Sequence, residues 1–386
     1  MKIIVSFFAL FFFALQVQSQ TKSNDLPASN PLKYESTLPY HAPPFDKIKD
    51  ADYKPAIEAG IREQMAETEM IANNPAAPTF ENTLVAMEKS GKLLRRANAA
   101  FGSLSSANTN PTLQKVRQEM APKLAALNDA INLNPKLFKR VETLYTNRAT
   151  LKLDAEALKL VENTYKQFVL AGARVADVDK ETLKKLNGEE ATLTSLFGNM
   201  IVNGGKASAV VISDASELAG LPQSDLDAYA QNAKARGMAG KWLIPLQNTT
   251  QQPSLQLLTE RATRQRLFEA SWNRNEKNDS NDTRKVVARL VEIRAQKAKL
   301  MGFKNFAEWR LQDRMANTPE AVDKFFAQVV PSVAAKTRQE AAEIQSLIDK
   351  QNGGFQLQPW DWNFYSEQVR KAKYDLDDNE TKPYFE

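Results

Sequence analysis

Residues 281–302, NDTRKVVARLVEIRAQKAKLMG, contain the pattern that decides the fold class. Asn281 and Asp282 supply side-chain oxygens that can cap the start of a helix. In the residues after them, mostly apolar side chains recur at helical spacing and form one stripe along a helical face: Val286, Leu290, Ile293, Lys297 and Leu300. We expect Lys297 to contribute its aliphatic stem to this stripe, and Gly302 to end the helix.

Similar patterns cover most of the chain and predict a mainly helical protein. Further helices are predicted at about 79–102, 112–131, 135–149, 154–171, 179–201, 224–236 and 318–350. Thr318 can cap the last of them. The apolar stripes at 284–300 and 318–350 are expected to need partner surfaces in a part of the protein outside these residues. Two short β-branched runs, Ala209–Ser213 and Trp242–Leu246, predict strands, so the expected fold is mostly α with a small β insert near 207–248.

The composition excludes several classes of protein and site. Among the 386 residues, 51 Lys and Arg stand against 46 Asp and Glu, a net charge of only +5. Nucleic-acid binding needs a basic stripe with stacking aromatics, and the mixed charge pattern predicts none. The chain has no cysteine and a single histidine, His41. These counts exclude thiol catalysis and cysteine or multi-histidine zinc sites. A Ser-His-Asp triad would depend on His41 alone, which lies in a Pro-rich segment where a surface histidine is the favoured interpretation.

The first residues are typical of an export signal. Lys2 precedes an apolar run, Ile3–Leu15, and small residues lead to a cleavage site near Ser19/Gln20. The run is too short to span a bilayer, so no stable membrane insertion is expected. We therefore expect an exported protein that is periplasmic or extracellular after cleavage. Residues 20–46 are rich in proline and predict an extended arm laid over a surface.

Acidic residues offer two candidate clusters for chemistry. Glu189 and Glu190 are adjacent, but such pairs on an exposed segment are usually solvated, which favours a surface role over acid/base catalysis. Asp377, Asp378 and Glu380 lack the ligand spacing of a known calcium cage, so only weak binding is expected there.

The segment PWDWNFYSEQVRKAKYDLDDNE, residues 359–380, concentrates aromatic side chains around one aspartate. Buried aromatics supply large packing areas in most proteins. Core anchoring is therefore favoured over ligand contact for Trp360, Trp362, Phe364 and Tyr365, and the second interpretation stays open.

Three stretches, in the same order along the chain, resemble one known family. They are Asn30–Leu32 with Pro43–Asp46 in the arm, LVEIRAQKAKLMGFKNFAEWRLQDRMANTPEAV at 290–322, and PWDWNFYSEQVRKAKYDLDDNETKPYFE at 359–386. Together they resemble the thimet-oligopeptidase-like zinc metallopeptidases, in the bacterial peptidyl-dipeptidase branch. The signal lies in the combination, because each stretch alone is weak.

The resemblance implies a mostly helical, two-lobed body with a deep channel, and a monomer when full length. Members of the family cut short unstructured peptides, and the peptidyl-dipeptidase branch releases dipeptides from C-termini. The family binds one zinc ion through an H-E-x-x-H helix and a further glutamate. By this resemblance Trp360, Asp361 and Tyr365 are expected near the channel, where Asp361 and Tyr365 support the zinc site from outside its ligand set.

The sequence departs from the family at the metal ligands, because no histidine follows His41. We therefore expect a chain that ends before its catalytic centre, with no catalytic or metal-binding residue and no peptidase activity of its own. The expected domains are a signal peptide at 1–19, the arm at 20–46, a helical region with the β insert at 47–250, and the beginning of a metallopeptidase catalytic domain at 251–386. The alternative is a non-catalytic exported helical module that binds peptides or another partner.

Overall fold

The computed structural model describes residues 26–247, 252–374 and 384–385. Helices account for most of these residues, and the strands among them form one small antiparallel pair. The prediction of a mostly α fold with a small β insert is confirmed. Two compact units are present: one comprises Ala86–Val116 and the described part of Met1–Ile71, and the other comprises Ala72–Val85 and the described part of Arg117–Glu386. The domain boundaries drawn from the sequence stay predictions.

The helices of the first unit are α1 (Asp50–Ala72), α2 (Ala86–Lys89) and α3 (Lys92–Ala107). α1 and α3 approach closely at Gly60, where a Cβ atom would lie 2.7 Å from the backbone of Leu94. The rings of Tyr53 and Phe101 meet edge to face, with 5.4 Å between their centroids. Because Gly60 has no side chain, the two helices can pack at this short distance.

Part of the Pro-rich arm packs within the first unit. Asn30 Nδ2 donates a hydrogen bond of 3.0 Å to the carbonyl of Asp52. The guanidinium of Arg96 donates to the carbonyls of Leu32, at 2.8 Å, and Lys33, at 2.6 Å. These bonds satisfy arm carbonyls that have no strand or helix partner and hold the arm in place.

The helix predicted at 79–102 is interrupted. It begins as a π-helical segment, Phe80–Val85. At its start Thr79 N donates to Asn82 Oδ1 at 2.8 Å, and Asn82 N donates to Thr79 Oγ1 at 3.1 Å. α3 begins only after Gly91, whose φ of +69° is left-handed. Glycine adopts this conformation without strain, so the chain breaks here and the prediction of one helix is wrong.

The remaining elements are α4 (Pro111–Asn132), α5 (Pro135–Thr146), α6 (Ala155–Ala171), α7 (Asp177–Ala207), β1 (Val210–Ile212), α8 (Gln223–Ala235), β2 (Trp242–Ile244), α9 (Arg261–Trp272), α10 (Arg284–Leu300), α11 (Phe306–Leu311), α12 (Pro319–Lys350) and α13 (Trp362–Tyr374). The start of α12 is confirmed, since Thr318 Oγ1 accepts a hydrogen bond of 3.2 Å from Ala321 N.

α7 is longer than its predicted bounds of 179–201, because it continues through Gly204 and Gly205 to Ala207. A Cβ atom at Gly204 would lie 2.3 Å from Asn275 Nδ2, so the glycine makes room for this side chain. The same nitrogen donates at 3.0 Å to the carbonyl of Met200 in α7. Gly204 therefore serves close packing and not helix termination.

The β insert carries one of the buried cores of the second unit. β1 and β2 pair antiparallel, with Val210 opposite Ile244 and Ile212 opposite Trp242. The core beneath them contains Ile212, Leu218, Leu255, Leu258 and Leu267. Leu267 belongs to α9, so this core fixes the helix that supplies the arginines described below.

α10 packs along α7 and buries its stripe there, including Val286, Leu290 and Ile293. The stripe does need a partner surface, but the expectation that this surface lies outside these residues is wrong, because α7 of the same unit supplies it. α12 differs, since the first half of its length is exposed. Within the described ranges, every helix is too short or too polar to cross a membrane.

Candidate functional site

The three residues singled out by the sequence lie on one short turn and the helix after it. Pro359–Asp361 form a single 3₁₀ turn that leads directly into α13, and Tyr365 lies one helical turn further on. Gln358 N donates to Asp361 Oδ2 at 3.2 Å, and Asp361 N donates to the carbonyl of Gln358 at 2.9 Å. These reciprocal bonds fix the aspartate at the start of α13.

Asp361 is completely buried, with 0% of its surface exposed, and two arginines of α9 surround its carboxylate. Arg261 approaches with two nitrogens: Nε lies 3.0 Å from Oδ1 and Nη2 lies 2.9 Å from Oδ2. Arg264 Nη2 donates to Oδ1 at 3.1 Å. A planar guanidinium matches a carboxylate in this way, and the bonds join α9 to the turn across about a hundred residues of sequence.

Arg264 is itself buried, with 1% exposure, so its other nitrogens need partners. Its Nη1 donates to the carbonyls of Leu258, at 2.9 Å, and Thr259, at 3.0 Å, immediately before α9, whereas its Nε is buried without a hydrogen-bond partner among the described residues. Burying a charge is tolerated only when it is paired and hydrogen-bonded. Arg264 therefore connects three segments: the approach to α9, α9 itself and the Pro359–Asp361 turn.

Aromatic rings cover both guanidinium groups. Arg261 Cζ lies 4.0 Å from the ring centroid of Phe355 and 5.6 Å from that of Trp360. Arg264 Cζ lies 4.3 Å from the centroid of Phe364. Two arginines against one carboxylate leave a positive charge in excess, and the negative faces of the rings stabilise it.

Tyr365 and Trp360 differ in their surroundings. Tyr365 is buried in an apolar cluster with Ile344 and Ile348 of α12, which agrees with a core anchor. Trp360 is half-buried, and its Nε1 is enclosed without a hydrogen-bond partner among the described residues. The structure thus brings Trp360 and Asp361 together around Arg261. The role that the family resemblance implies for these side chains stays a prediction.

Sequence reasoning missed Arg261 and Arg264, which hold the predicted aspartate. Their one local signal is the spacing R-A-T-R, which places two guanidinium groups one helical turn apart on the same face. That spacing is common on exposed helices, and it gives no indication that the partner is an aspartate about a hundred residues later in the chain.

An open groove of about 670 Å³ lies beside the turn. Its walls are mostly apolar: Phe268, Trp272, Leu357, Pro359 and Trp362, with the amides of Gln358 and Asn363. Phe268 and Trp272 stack with 5.6 Å between centroids, and Trp272 is 64% exposed. Apolar walls with a few amides suit an apolar peptide side chain with its backbone.

Glu189 and Glu190 join α7 to α10; the side chain of Glu189 remains 40% exposed, as expected, whereas that of Glu190 is only 18% exposed. Arg289 contacts Glu189 through Nε at 2.7 Å and Nη2 at 2.8 Å. Glu190 accepts from Arg294 Nε at 2.9 Å and from Lys297 Nζ at 2.7 Å. Lys297 is only 9% exposed, so its ammonium is buried along with its stem. Both carboxylates have cationic partners, which indicates a structural role.

The described residues do not form a zinc site of the kind that the resemblance implies. Within residues 26–247, 252–374 and 384–385, no group of three or more His, Cys, Asp or Glu side chains could hold a metal ion. His41 is exposed, and its Nδ1 lies 2.9 Å from the carbonyl of Ser36. The residues present therefore do not fit zinc. The acidic cluster Asp377, Asp378 and Glu380 lies outside the described residues.

Comparisons with known proteins agree on one group of enzymes. Residues 254–386 match the sequence model of Peptidase family M3. The chain is 48% identical over 357 residues to a dipeptidyl carboxypeptidase of Escherichia coli, covering 92% of this chain and 52% of that protein. It is 48% identical to a dipeptidyl carboxypeptidase of Salmonella typhimurium, covering 93% of this chain and 53% of that protein. It is 27% identical to an oligopeptidase A of Haemophilus influenzae, covering 92% of this chain and 52% of that protein. The chain spans about half the length of these relatives.

Proposed function

We propose that the whole protein is a metallopeptidase of the M3 type that releases dipeptides from the C-termini of short peptides, because residues 254–386 match the sequence model of Peptidase family M3. The observation that carries the proposal is the 48% identity to dipeptidyl carboxypeptidase over 92% of the chain. Oligopeptidase A is similar over the same share of the chain but at only 27% identity. This difference favours dipeptide release over internal cleavage.

In this proposal the groove beside Asp361 contributes to peptide binding. Phe268, Trp272 and Trp362 supply apolar surface, and the neighbouring amides can bond to a peptide backbone. The bonds from Arg261 and Arg264 to Asp361 hold the groove-lining turn against α9. Asp361 thus acts by positioning other groups, since its carboxylate is sealed from solvent.

The metal chemistry of the proposed enzyme requires ligands beyond those in this sequence. With one histidine and no cysteine, the 386 residues cannot supply an H-E-x-x-H pair. The zinc dependence therefore belongs to the proposal for the whole protein. The residues described here supply the helical scaffold and the aromatic groove.

The proposal extends to the substrates, the oligomeric state and the location of the protein. Its substrates would be short unstructured peptides, because a free C-terminus must enter a narrow site to yield a dipeptide. The protein would act as a monomer outside the cytoplasm, in the periplasm or extracellularly, after cleavage near Ser19/Gln20.

A second candidate function is peptide binding without cleavage. The exposed groove together with the missing metal ligands in the described residues favours it. The two functions differ in a direct way: a binding module shows saturable affinity for peptides and leaves them intact.

The decisive assay incubates the full-length, zinc-supplied protein with an N-terminally blocked hexapeptide and identifies the products by mass spectrometry. The proposal predicts release of the C-terminal dipeptide, then of the next one, and loss of activity with a chelator. A hexapeptide with an amidated C-terminus is the matched control, and its cleavage should be strongly reduced. Cleavage of both peptides at the same internal bond would contradict dipeptide release, and intact peptides with saturable binding would support the second candidate.

A further inference from the structure

A second cleft, of about 410 Å³, is formed in the second unit by α4, α6, α7, α10 and α11. Its lining is polar, unlike the aromatic groove. Amide side chains contribute much of it, including Asn128, Asn132, Gln167 and Asn187, and cationic side chains contribute Lys297, Arg310 and Arg314. Among the lining residues that the structure describes, one is acidic, Asp313. A cleft of this composition is suited to an anion with several acceptor atoms.

The polar and charged groups on the inner side of this cleft already have hydrogen-bond partners. Lys297 Nζ bonds to Glu190 Oε2 at 2.7 Å, and the ammonium also lies 5.5 Å from the ring centroid of Trp309. Asn187 Nδ2 donates to the buried Asp129 Oδ1 at 2.6 Å. These contacts fix the floor of the cleft, where Glu190 pairs with Lys297 and the Asp129 carboxylate accepts a hydrogen bond from a neutral amide.

The rim differs from the floor, because its positive charges exceed its negative ones. Asp313 Oδ1 is paired with Lys166 Nζ at 3.0 Å. Arg310 and Arg314 are exposed, and no hydrogen bond from either guanidinium is present among the described residues. The hydrogen bond and positive charge of Lys166, and after them the charge of Arg314, hold the pKa of the Asp313 carboxyl below its ordinary value, so Arg314 already interacts with one carboxylate of the rim. The side-chain amide of Gln167 likewise has no hydrogen bond within the described part of the chain. Two guanidinium groups and an amide donor therefore border the same cleft with their hydrogen-bonding capacity available.

We propose that this cleft binds a small carboxylate-bearing anion, held by Arg310 and Arg314 with hydrogen bonds from the amide lining. The guanidinium fork matches a carboxylate with two parallel bonds. The carboxylate could belong to a free organic acid or to the C-terminus of a peptide, and both present the same chemistry. This inference does not rest on the proposed peptidase activity.

The test is calorimetric titration of the full-length protein with succinate, and with neutral succinamide as the matched ligand. Acetyl-alanyl-alanine and its C-terminal amide form a second pair, which distinguishes a peptide carboxylate from a free acid. Inorganic phosphate tests the class of anion. Arg310→Gln and Arg314→Gln remove one charge each at exposed positions, and Arg338→Gln removes an exposed arginine of α12 that does not line the cleft.

We expect one saturable site for a carboxylate ligand and none for its neutral partner. Each of R310Q and R314Q should weaken binding about tenfold or more, because a charge-assisted bond is lost, whereas R338Q should leave it unchanged. Three results would overturn the proposal: no saturable binding of any carboxylate, equal weakening by R338Q, or binding of phosphate alone. Unchanged thermal unfolding of the variants shows that they remain folded.

Discussion

Asp361 is the residue on which the candidate site depends, because it is fully buried and is contacted by two arginines. Asp361→Asn keeps the shape of the side chain but removes its charge, leaving the buried Arg264 without a counter-ion. We expect the free energy of unfolding, measured by urea titration, to fall by about 3–5 kcal/mol. Arg261→Gln should lower the free energy of unfolding by less, because the Arg261 side chain is 36% exposed and water can solvate the groups left at this position.

The matched control is a partly exposed pair on the next helix. Arg370 Nη2 lies 2.6 Å from Glu367 Oε1, with both side chains more than a quarter exposed. Glu367→Gln should change the free energy of unfolding by less than about 1 kcal/mol. If Asp361→Asn costs no more than Glu367→Gln, the Arg–Asp361 contacts do not stabilise the site.

At the residue scale, the sequence identified Asp361 but not the groups that hold it. The aromatic segment drew attention to the aspartate through its resemblance to a family. An ion pair between residues 264 and 361 has no local periodicity, because it forms only when tertiary folding brings α9 to the turn. The burial of Lys297 was missed for the same reason, since its partner Glu190 lies on another helix.

At the scale of elements, the ion pairs between α7 and α10 give stability a dependence on pH. Burial raises the pKa of Glu190, but hydrogen bonds from Lys297 and Arg294 outweigh it and hold that pKa below its ordinary 4.5. A carboxylate with a depressed pKa in the folded state stabilises the protein above the unfolded-state pKa. This stabilisation is lost as the pH falls below 4.5 and passes through the folded-state pKa.

We therefore expect Glu190→Gln to lower the free energy of unfolding at pH 7, with a difference from wild type that shrinks as the pH falls below 4.5. Urea titrations at several pH values measure this. Glu292→Gln, on an exposed residue paired with Arg289, is the control and should have an effect below about 1 kcal/mol throughout. A Glu190→Gln difference that is equally large well below pH 4.5 would rule out the ionised carboxylate as its source.

α12 carries the largest apolar exposure of the described helices. Phe325, Phe326, Val329, Val330 and Val333 are all exposed, at 58%, 52%, 38%, 53% and 56%. The stripe of α10 is covered by α7, whereas these side chains of α12 are exposed, and the expectation that α12 needs a partner surface outside these residues stays a prediction. The last part of α12 is covered, since Ile344 and Ile348 pack against Tyr365.

We expect the purified 386-residue chain to bind a hydrophobic dye and to self-associate through this face. Phe325→Ser with Phe326→Ser should reduce both, with a change of only about 0.5 kcal/mol per substitution in unfolding free energy, because the positions are exposed. Ile344→Ala, in the covered part, should instead cost about 2–5 kcal/mol. Dye fluorescence and analytical ultracentrifugation measure the effect, and unaltered self-association of the double variant would show that another surface is responsible.

The elements themselves were largely predictable because their boundaries have local causes. Thr318 and Pro319 mark the start of α12, and the strands 210–212 and 242–244 lie inside the predicted β-branched runs. The errors in the predicted helix boundaries occur at glycines, because tertiary contacts decide whether a glycine ends a helix or continues it. Gly91 breaks a helix through its left-handed backbone, while Gly204 continues one to admit Asn275.

At the scale of the whole molecule, the resemblance to the peptidyl-dipeptidase branch is confirmed by the family match and by the 48% identity to dipeptidyl carboxypeptidases. The helical architecture is confirmed as well. Neither the channel nor the export of the protein follows from these findings, so both stay predictions. The sequence could identify the family because ordered motifs are sequence properties, whereas a substrate channel depends on how separate parts of the protein come together.

We propose that these residues form the scaffold and groove of a dipeptide-releasing peptidase whose metal ligands lie elsewhere. The most direct measurement compares the zinc-supplied full-length protein and the 386-residue chain on the same blocked hexapeptide, with dipeptide release followed by mass spectrometry. We predict that the full-length protein releases C-terminal dipeptides and that the 386-residue chain releases none. Chelator-sensitive dipeptide release by the 386-residue chain would contradict the claim, as would a full-length protein that leaves the peptide intact.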